Sequence, residues 1–391
     1  MNNLYLKKEF ISNIFIISMI IMLFTQLRLF NLPIGIGEIG LLLLGVISLF
    51  QFMKEKKSIF YCFKHLFIIF WLFIFIILLL YLWINITDIH QSNKNLVHDI
   101  LAYGFIFYNI ILFITLENLY DLNFKILMER LVYYSIIFYS VLLAFSFSFG
   151  DFLGITLNYM NVERYVGLSL NANQLALVFT IIPFLVLFYD KNSQTNLYEN
   201  KTINLLLFLL SVFIIYSIAS RGLVLSLLII TMLTVVIYLF RQYPKSVSLL
   251  FFLLISIIII NYQLLIELLF IQGIGGFKHR IELWENALEL IKLSPLIGFG
   301  PGAHVSSVVN PNIYWEAHNT FLDLTLQVGI IGLIAYIFLL YSISKGLIIN
   351  KKYLLFSAFS VLVLFSSVHF ILRHPLFWLY LFYFYQFRKS Y

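Results

Sequence analysis

The chain has 391 residues and a net charge of +7, yet only 11% of them are charged, 62% are hydrophobic and the mean hydropathy is +0.98. A soluble domain carries roughly a quarter charged residues, so a water-soluble enzyme is excluded and an all-α polytopic membrane protein is expected. The single cysteine, Cys62, excludes a disulfide framework and a thiolate metal cluster. The basic residues are scattered between apolar runs, which speaks against a nucleic-acid partner and for membrane topology signals and membrane lipid.

Along the chain, Lys7 and Lys8 precede an apolar stretch with no small-x-small cleavage pattern, so an uncleaved first helix is expected. With about 20 apolar residues per span, the polar and Gly/Pro breaks place helices near 9–28, 33–53, 63–84, 97–116, 127–149, 168–189, 202–219, 222–240, 247–266, 320–344, 353–370 and 375–388. About a dozen spans fill one membrane domain over 1–391 and leave no room for a separate soluble one. Only Ser220-Arg221-Gly222 separates the helices over 202–219 and 222–240, which reads as a tight turn.

Charge then orients the map. With both termini cytoplasmic, the outer side holds only Arg28, Lys94, Arg164, Arg221, Lys278, Arg280, Lys292 and Arg373 of the 25 lysines and arginines, as the positive-inside rule expects. That outer set is arginine-rich, and a planar guanidinium binds phosphate bidentately where an ammonium does not. Isolated arginines at helix ends also snorkel to headgroups.

One long connection, 267–319, stands out among short ones, and long ordered loops are usually functional. Within it Ile281, Trp284, Leu288 and Ile291 share a helical face, which suggests a helix lying in the membrane interface. Ser294-Pro295 stops that helix, and Gly298-Phe299-Gly300-Pro301-Gly302 makes a turn whose backbone amides are free to approach a ligand. The loop ends in Glu316-Ala317-His318-Asn319, where a histidine with a nearby carboxylate suits a general base. His98, Asp99, Asp323, His369, Arg373 and His374 read as helix caps or headgroup contacts, and Arg373 and His374 face the same compartment as the loop. The outer acids Glu163, Glu282, Glu285, Glu289 and Glu316 form no metal-binding pattern, so no metal and no cofactor is expected.

Four stretches in order resemble the bacterial O-antigen polymerase/O-antigen ligase superfamily. They are Arg164-Tyr165-Val166-Gly167 with Asn171-Ala172-Asn173-Gln174-Leu175-Ala176; Ser220-Arg221-Gly222; Arg280 with Trp284 and Ala287 running into Pro295–Gly302; and His318-Asn319-Thr320-Phe321-Leu322 with Gln327-Val328-Gly329-Ile330-Ile331-Gly332. Ala172 stands where the family often has proline. The resemblance spans residues 164–332 and implies a membrane glycosyltransferase of the GT-C type in the bacterial inner membrane, with a periplasmic active site. The implied donor is an undecaprenyl-pyrophosphate-linked oligosaccharide, and a chain-length regulator and a flippase are the implied partners. It assigns Arg164, Arg221 and Arg280 to the diphosphate and His318 to activating the acceptor hydroxyl or binding the lipid carrier. Glu316, Asn319 and Arg373 join the substrate-binding set.

A polymerase of surface polysaccharide is preferred, because the loop is compact and no extra C-terminal domain of the protein-glycosylating kind is seen. A ligase to lipid A-core and a protein oligosaccharyltransferase remain alternatives. A flippase or transporter is the reading of a different class. It is disfavoured because coupled transporters keep ionisable residues in mid-helix, where this chain has essentially none.

Overall fold

A computed structural model describes residues 2–22, 26, 35–55, 65–84, 93–152, 155–158, 164–187, 200–243, 275–306 and 314–388. These are mostly helical: α1 (Asn2–Ile21), α2 (Ile36–Glu55), α3 (Leu66–Ile84), α4 (Asn93–Tyr120), α5 (Phe124–Phe149), α6 (Ala172–Phe179), α7 (Ile182–Leu187), α8 (Lys201–Ile218), α9 (Arg221–Gln242), α10 (Gly275–Leu293), α11 (Thr320–Ile349), α12 (Tyr353–Ser366) and α13 (Pro375–Gln386). Two antiparallel ribbons of two-residue strands interrupt them: β1 (Asp151–Phe152) with β2 (Ile155–Thr156), and β3 (Val305–Ser306) with β4 (Tyr314–Trp315).

Among the described residues five helical segments are long and apolar enough to cross a membrane: Leu96–Tyr120, Phe124–Phe149, Lys201–Ile218, Arg221–Leu239 and Thr320–Ile349. A chain with several such helices is a polytopic membrane protein. The helix expected near 247–266 lies outside the described residues, as does part of the loop expected over 267–319.

Local chemistry sets the helix ends. Asn123, Asn200 and Asn319 each accept a bond from a first-turn amide of α5, α8 and α11, the role for which a short amide side chain is favoured. His374 caps α13 through Nδ1, and Pro375 at its first position lacks the N–H that would have no partner there. Between α8 and α9 the chain turns on Ala219 alone (φ 49°), with Ser220 as the N-cap of α9, so the short turn expected there is present.

Three expectations change. The helix expected over 168–189 is two short pieces, α6 and α7, because Pro183 has no N–H for the ladder and Thr180 Oγ1 donates back to Leu177 O at 2.7 Å. The helix expected over 320–344 runs on to Ile349 and is broken at Gly329, whose φ 66°, ψ −173° lies outside helical space. The amphipathic helix α10 buries Leu283 and Ala287 against Val305, Ala317 and Leu326, with Trp284, Leu290 and Ile291 alongside, while Leu288 stays half exposed. The face that packs on protein is thus rotated from the expected stripe toward Leu283 and Ala287.

A buried aromatic core joins α1, α3, α4, α5 and α13, with Phe15, Phe67, Phe113, Phe124, Trp378 and Phe382 in edge-to-face contact. It stands α4 upright between two polar ends. At the Tyr120 end, Lys8 pairs with Asp121 at 3.6 Å, and Lys125 and Lys352 lie over the Phe387 ring. The Asn93 end carries the site.

Candidate functional site

The break in α11 is built by backbone exchange with the glycine turn. Phe299 and Gly300 donate their amides to Leu326 O (2.7 Å) and Gln327 O (2.9 Å), while Ile330 and Ile331 donate to Pro295 O (2.8 Å) and Leu296 O (3.4 Å). Two carbonyls before the break and two amides after it are thereby answered, as a buried helix requires. Only glycines permit this approach: a Cβ on Gly329 would stand 2.0 Å from Leu296 O, and one on Gly298 2.5 Å from Leu326 O. The turn's amides, expected to be free for a ligand, are instead engaged, those of Phe299 and Gly300 by α11 and that of Gly298 by Ser294 O.

One amide of that turn reaches further. Gly302 N–H donates to Asp99 Oδ2 at 2.9 Å, and Gln327 Nε2 donates to the same oxygen at 3.0 Å. Tyr103 donates to Gln327 Oε1, which fixes that amide's orientation. The other carboxylate oxygen, Asp99 Oδ1, accepts Arg373 Nη1–H at 2.7 Å, and His304 Nε2 lies 3.7 Å from Oδ2. Asp99 has no exposed surface, so it is the hub on which α4, the glycine turn, α11 and the 367–374 segment converge.

Arg373 carries the charge outward. Its Nη1 also lies 3.0 Å from His98 Nδ1, its Nη2 meets Glu316 Oε1, and its guanidinium covers Phe370. Glu316 Oε2 then lies 3.9 Å from His318 Nδ1. His318 itself is held in the left-handed region (φ 51°), a strained state for histidine that surrounding bonds impose. Trp284 Nε1 donates to Ala317 O (2.9 Å), Asp323 accepts both Ala317 N–H (2.8 Å) and Asn319 N–H (3.2 Å), and Asn319 caps α11. Thr320 Oγ1 ties this corner to the 367–374 segment, donating to His369 O (2.7 Å) and accepting from Ile371 N–H (3.1 Å).

The electrostatics keep His318 uncharged at neutral pH. Burial, with the positive charge of Arg280 and His279 added, depresses its pKa to about 4. Glu316 does not reverse this, because Arg373 already answers its charge. Burial likewise lowers His304 and His374 to about 4, and takes His369 well below the ordinary range with Arg280, His318 and Arg164 adding to the effect. Arg280 is itself lowered by partial burial. Arg280, Arg164 and the neutral ring of His318 are thus the neighbours whose protonation His369 feels.

A cavity of about 740 Å³ opens beside this corner. It is lined by polar side chains, among them Glu38, His98, Asn173, Glu316, His318 and Arg373, and by apolar ones, among them Met22, Leu42, Phe105 and Leu177. A pocket with both kinds of lining suits a ligand with a charged head and a lipid tail.

The sequence-nominated residues fall as follows. His318, Glu316 and Arg373 line the cavity, and Arg280 stands behind them on α10. Arg164 donates its Nε–H to Ile218 O at 3.3 Å, next to the turn that carries Ser220 and Arg221. Arg221 opens α9 and is exposed, while its neighbour Ser220 donates to Asn173 Oδ1 at 2.9 Å, linking this turn to α6. The two motifs are thus one place. Arg373 offers less of a free fork than expected, since both Nη atoms already face acceptors. Asn319 serves as a cap.

Asp99, Gln327 and His304 are the parts sequence reasoning missed or read as caps. The available signal was an acid near the start of an apolar helix together with an arginine expected on the same side of the membrane. Among the described residues no group of three or more His, Cys, Asp or Glu is arranged to hold a metal.

Comparison with known proteins adds one match. Residues 206–337 match the family model described as O-antigen ligase, a stretch that contains Arg221, Arg280, Glu316, His318 and Asn319 and stops short of Arg373. No curated protein matches the chain.

Proposed function

We propose that the chain, whose residues 206–337 match the O-antigen ligase family model, is a polysaccharide-processing membrane enzyme of the O-antigen ligase/polymerase superfamily and, within it, a surface-polysaccharide polymerase. It transfers glycan from a polyprenyl-pyrophosphate carrier to a sugar hydroxyl of a lipid-linked repeat unit, on the periplasmic face of the inner membrane, in a GT-C type framework. The observation that carries this reading is the cavity of about 740 Å³ lined both by polar groups, His318 and Glu316 among them, and by apolar helix residues such as Leu42, Phe105 and Leu177.

The chemistry follows from what each group can do. The bond from the anomeric carbon to the diphosphate oxygen breaks, and its electron pair leaves on the diphosphate. The acceptor hydroxyl bonds to that carbon and gives up its proton. A neutral His318, with Nε2 as the lone-pair nitrogen, takes the proton. Arg280 and Arg164, with Arg221 at the adjacent helix start, stabilise the charge that grows on the leaving diphosphate, and they do so more in the transition state than in the ground state. Guanidinium groups thereby fill the counter-charge role that a metal fills elsewhere, so transfer is expected to continue in EDTA.

The test is genetic. The gene is deleted in its native host, complemented with wild type or His318→Ala, and the surface glycan is separated on a gel. Lipid A-core capped by a single repeat identifies a polymerase. Bare core with long lipid-linked chains accumulating identifies a ligase, and an unchanged ladder overturns both.

A further inference from the structure

The base His318 does not stand alone. From its imidazole a line of alternating charge runs inward: Glu316 Oε2 at 3.9 Å from Nδ1, Arg373 Nη2 on Glu316 Oε1, and Arg373 Nη1 at 2.7 Å from Asp99 Oδ1. It ends on a carboxylate with no exposed surface, fixed by Gly302 N–H and Gln327 Nε2.

We infer that Asp99 is the positioning residue of the transfer site, acting through Arg373 and Glu316 to set the orientation and tautomer of His318. This rests on the polysaccharide-transfer reading above and deepens it.

The argument is one of geometry and charge. A guanidinium shared between two carboxylates can be aimed at both only if one of them is immobile. Asp99 is that one, because three donors and the protein interior hold it, whereas Glu316 is partly exposed on the loop. With Arg373 anchored, Glu316 is placed beside Nδ1 rather than left to rotate into the cavity. Closing the 3.9 Å gap by about 1 Å makes it a hydrogen bond, and such contacts often tighten only when substrate binds. A proton held on Nδ1 leaves Nε2 unprotonated and able to accept the proton of the attacking hydroxyl. As the imidazolium forms, Glu316 stabilises it, while Asp99 prevents Arg373 from cancelling Glu316 completely.

The other groups that face His318 electrostatically are Arg280 and His279 from α10, with His369 near Arg280 and Arg164. All of these favour the neutral ring, so Glu316 is the group placed to counter them, and its freedom to do so is set by how Arg373 is shared.

Two measurements test the chain of action on the full-length protein in lipid. The first is side-chain nitrogen NMR of labelled histidines, with His318→Asn identifying the resonance. The Nδ1–H tautomer is expected in wild type and a tautomer mixture in Asp99→Asn. An unchanged His318 signal in Asp99→Asn overturns the proposal, whatever the enzyme's activity.

The second is the initial rate of transfer from a lipid-linked oligosaccharide. Asp99→Asn is expected to lower kcat roughly 10- to 100-fold, the cost of a base misplaced by about 1 Å, with KM within about threefold. In a Glu316→Gln background the same change is expected to cost less than about twofold, because the link is already cut. An equal loss in both backgrounds identifies a merely structural role and overturns the proposal. The acid limb of the rate profile separates the members further: Arg373→Gln frees Glu316 and moves the limb to higher pH, while Asp99→Asn moves it to lower pH. A shift of both in one direction counts against the shared guanidinium. Absence of transfer by wild type would refute the enzymatic reading itself and leave the NMR measurement to decide the positioning role.

Discussion

Substituting Gly329 by alanine tests the backbone exchange that holds the site in register. The added Cβ would stand 2.0 Å from Leu296 O and 2.4 Å from Ile297 N, both main-chain atoms that cannot rotate away. The residue's φ 66°, ψ −173° also falls where only glycine is comfortable, which alone costs about 1–3 kcal/mol. Relief requires the Pro295–Ile297 strand to withdraw, and that stretches the Ile330 and Ile331 bonds to Pro295 O and Leu296 O, each worth about 0.5–1.5 kcal/mol. The total is about 2–6 kcal/mol, a large share of a typical domain's stability. Thermal unfolding in detergent, followed by tryptophan fluorescence, is expected to show a midpoint roughly 2–7 °C lower for Gly329→Ala. The control is Gly104→Ala on α4, where a Cβ meets nothing within 4 Å, and helix propensity predicts no loss or a gain of about 0.5–1 kcal/mol. Equal midpoints for the two variants would refute the argument that the glycine turn is docked into the broken helix.

His318→Ala is expected to lower transfer by roughly 100- to 10,000-fold, the range for a lost general base, while the protein still accumulates in the membrane; activity and immunoblot together check this. Trp284→Phe keeps the packing of α10 but removes the 2.9 Å bond to Ala317 O, so the unfolding midpoint should drop by the equivalent of about 1 kcal/mol. For pH, burial holds His304, His318 and His374 near about 4 in the folded protein against an ordinary value of 6.5. Between those values the unfolded chain binds more protons, so stability is full above about pH 6.5 and falls as the pH drops toward 4; unfolding midpoints across that range measure it.

How much of this was legible in the sequence depends on how far apart the interacting residues lie. A long apolar run declares itself, because about 20 residues without charge leave a segment few other destinations, and helices occupy Lys201–Ile218 and Arg221–Gln242 on either side of a turn that Ser220-Arg221-Gly222 already marked. The grouping of His318, Glu316 and Arg280 was likewise readable, since all three lie on one long loop. Asp99 was not. Its partners stand 203, 228 and 274 residues away, and an acid near the start of a helix looks the same in one dimension whether it faces water or anchors an arginine. The break at Gly329 was hidden for a similar reason: a glycine in an apolar helix is common, and what forces the kink is a second segment, Pro295–Gly300, that docks against it. The rotation of α10 has the same origin, since a hydrophobic stripe says which face is buried only once the competing surfaces are known. The sequence thus reports what each segment can bury, while pairings between segments emerge only when their polar groups must be satisfied together. In a membrane protein that second requirement is severe, because an unmatched buried group has no water to turn to. The polar residues that satisfy it, here Asp99, Gln327 and Arg373, therefore join α4, α11 and the 367–374 segment at one buried point.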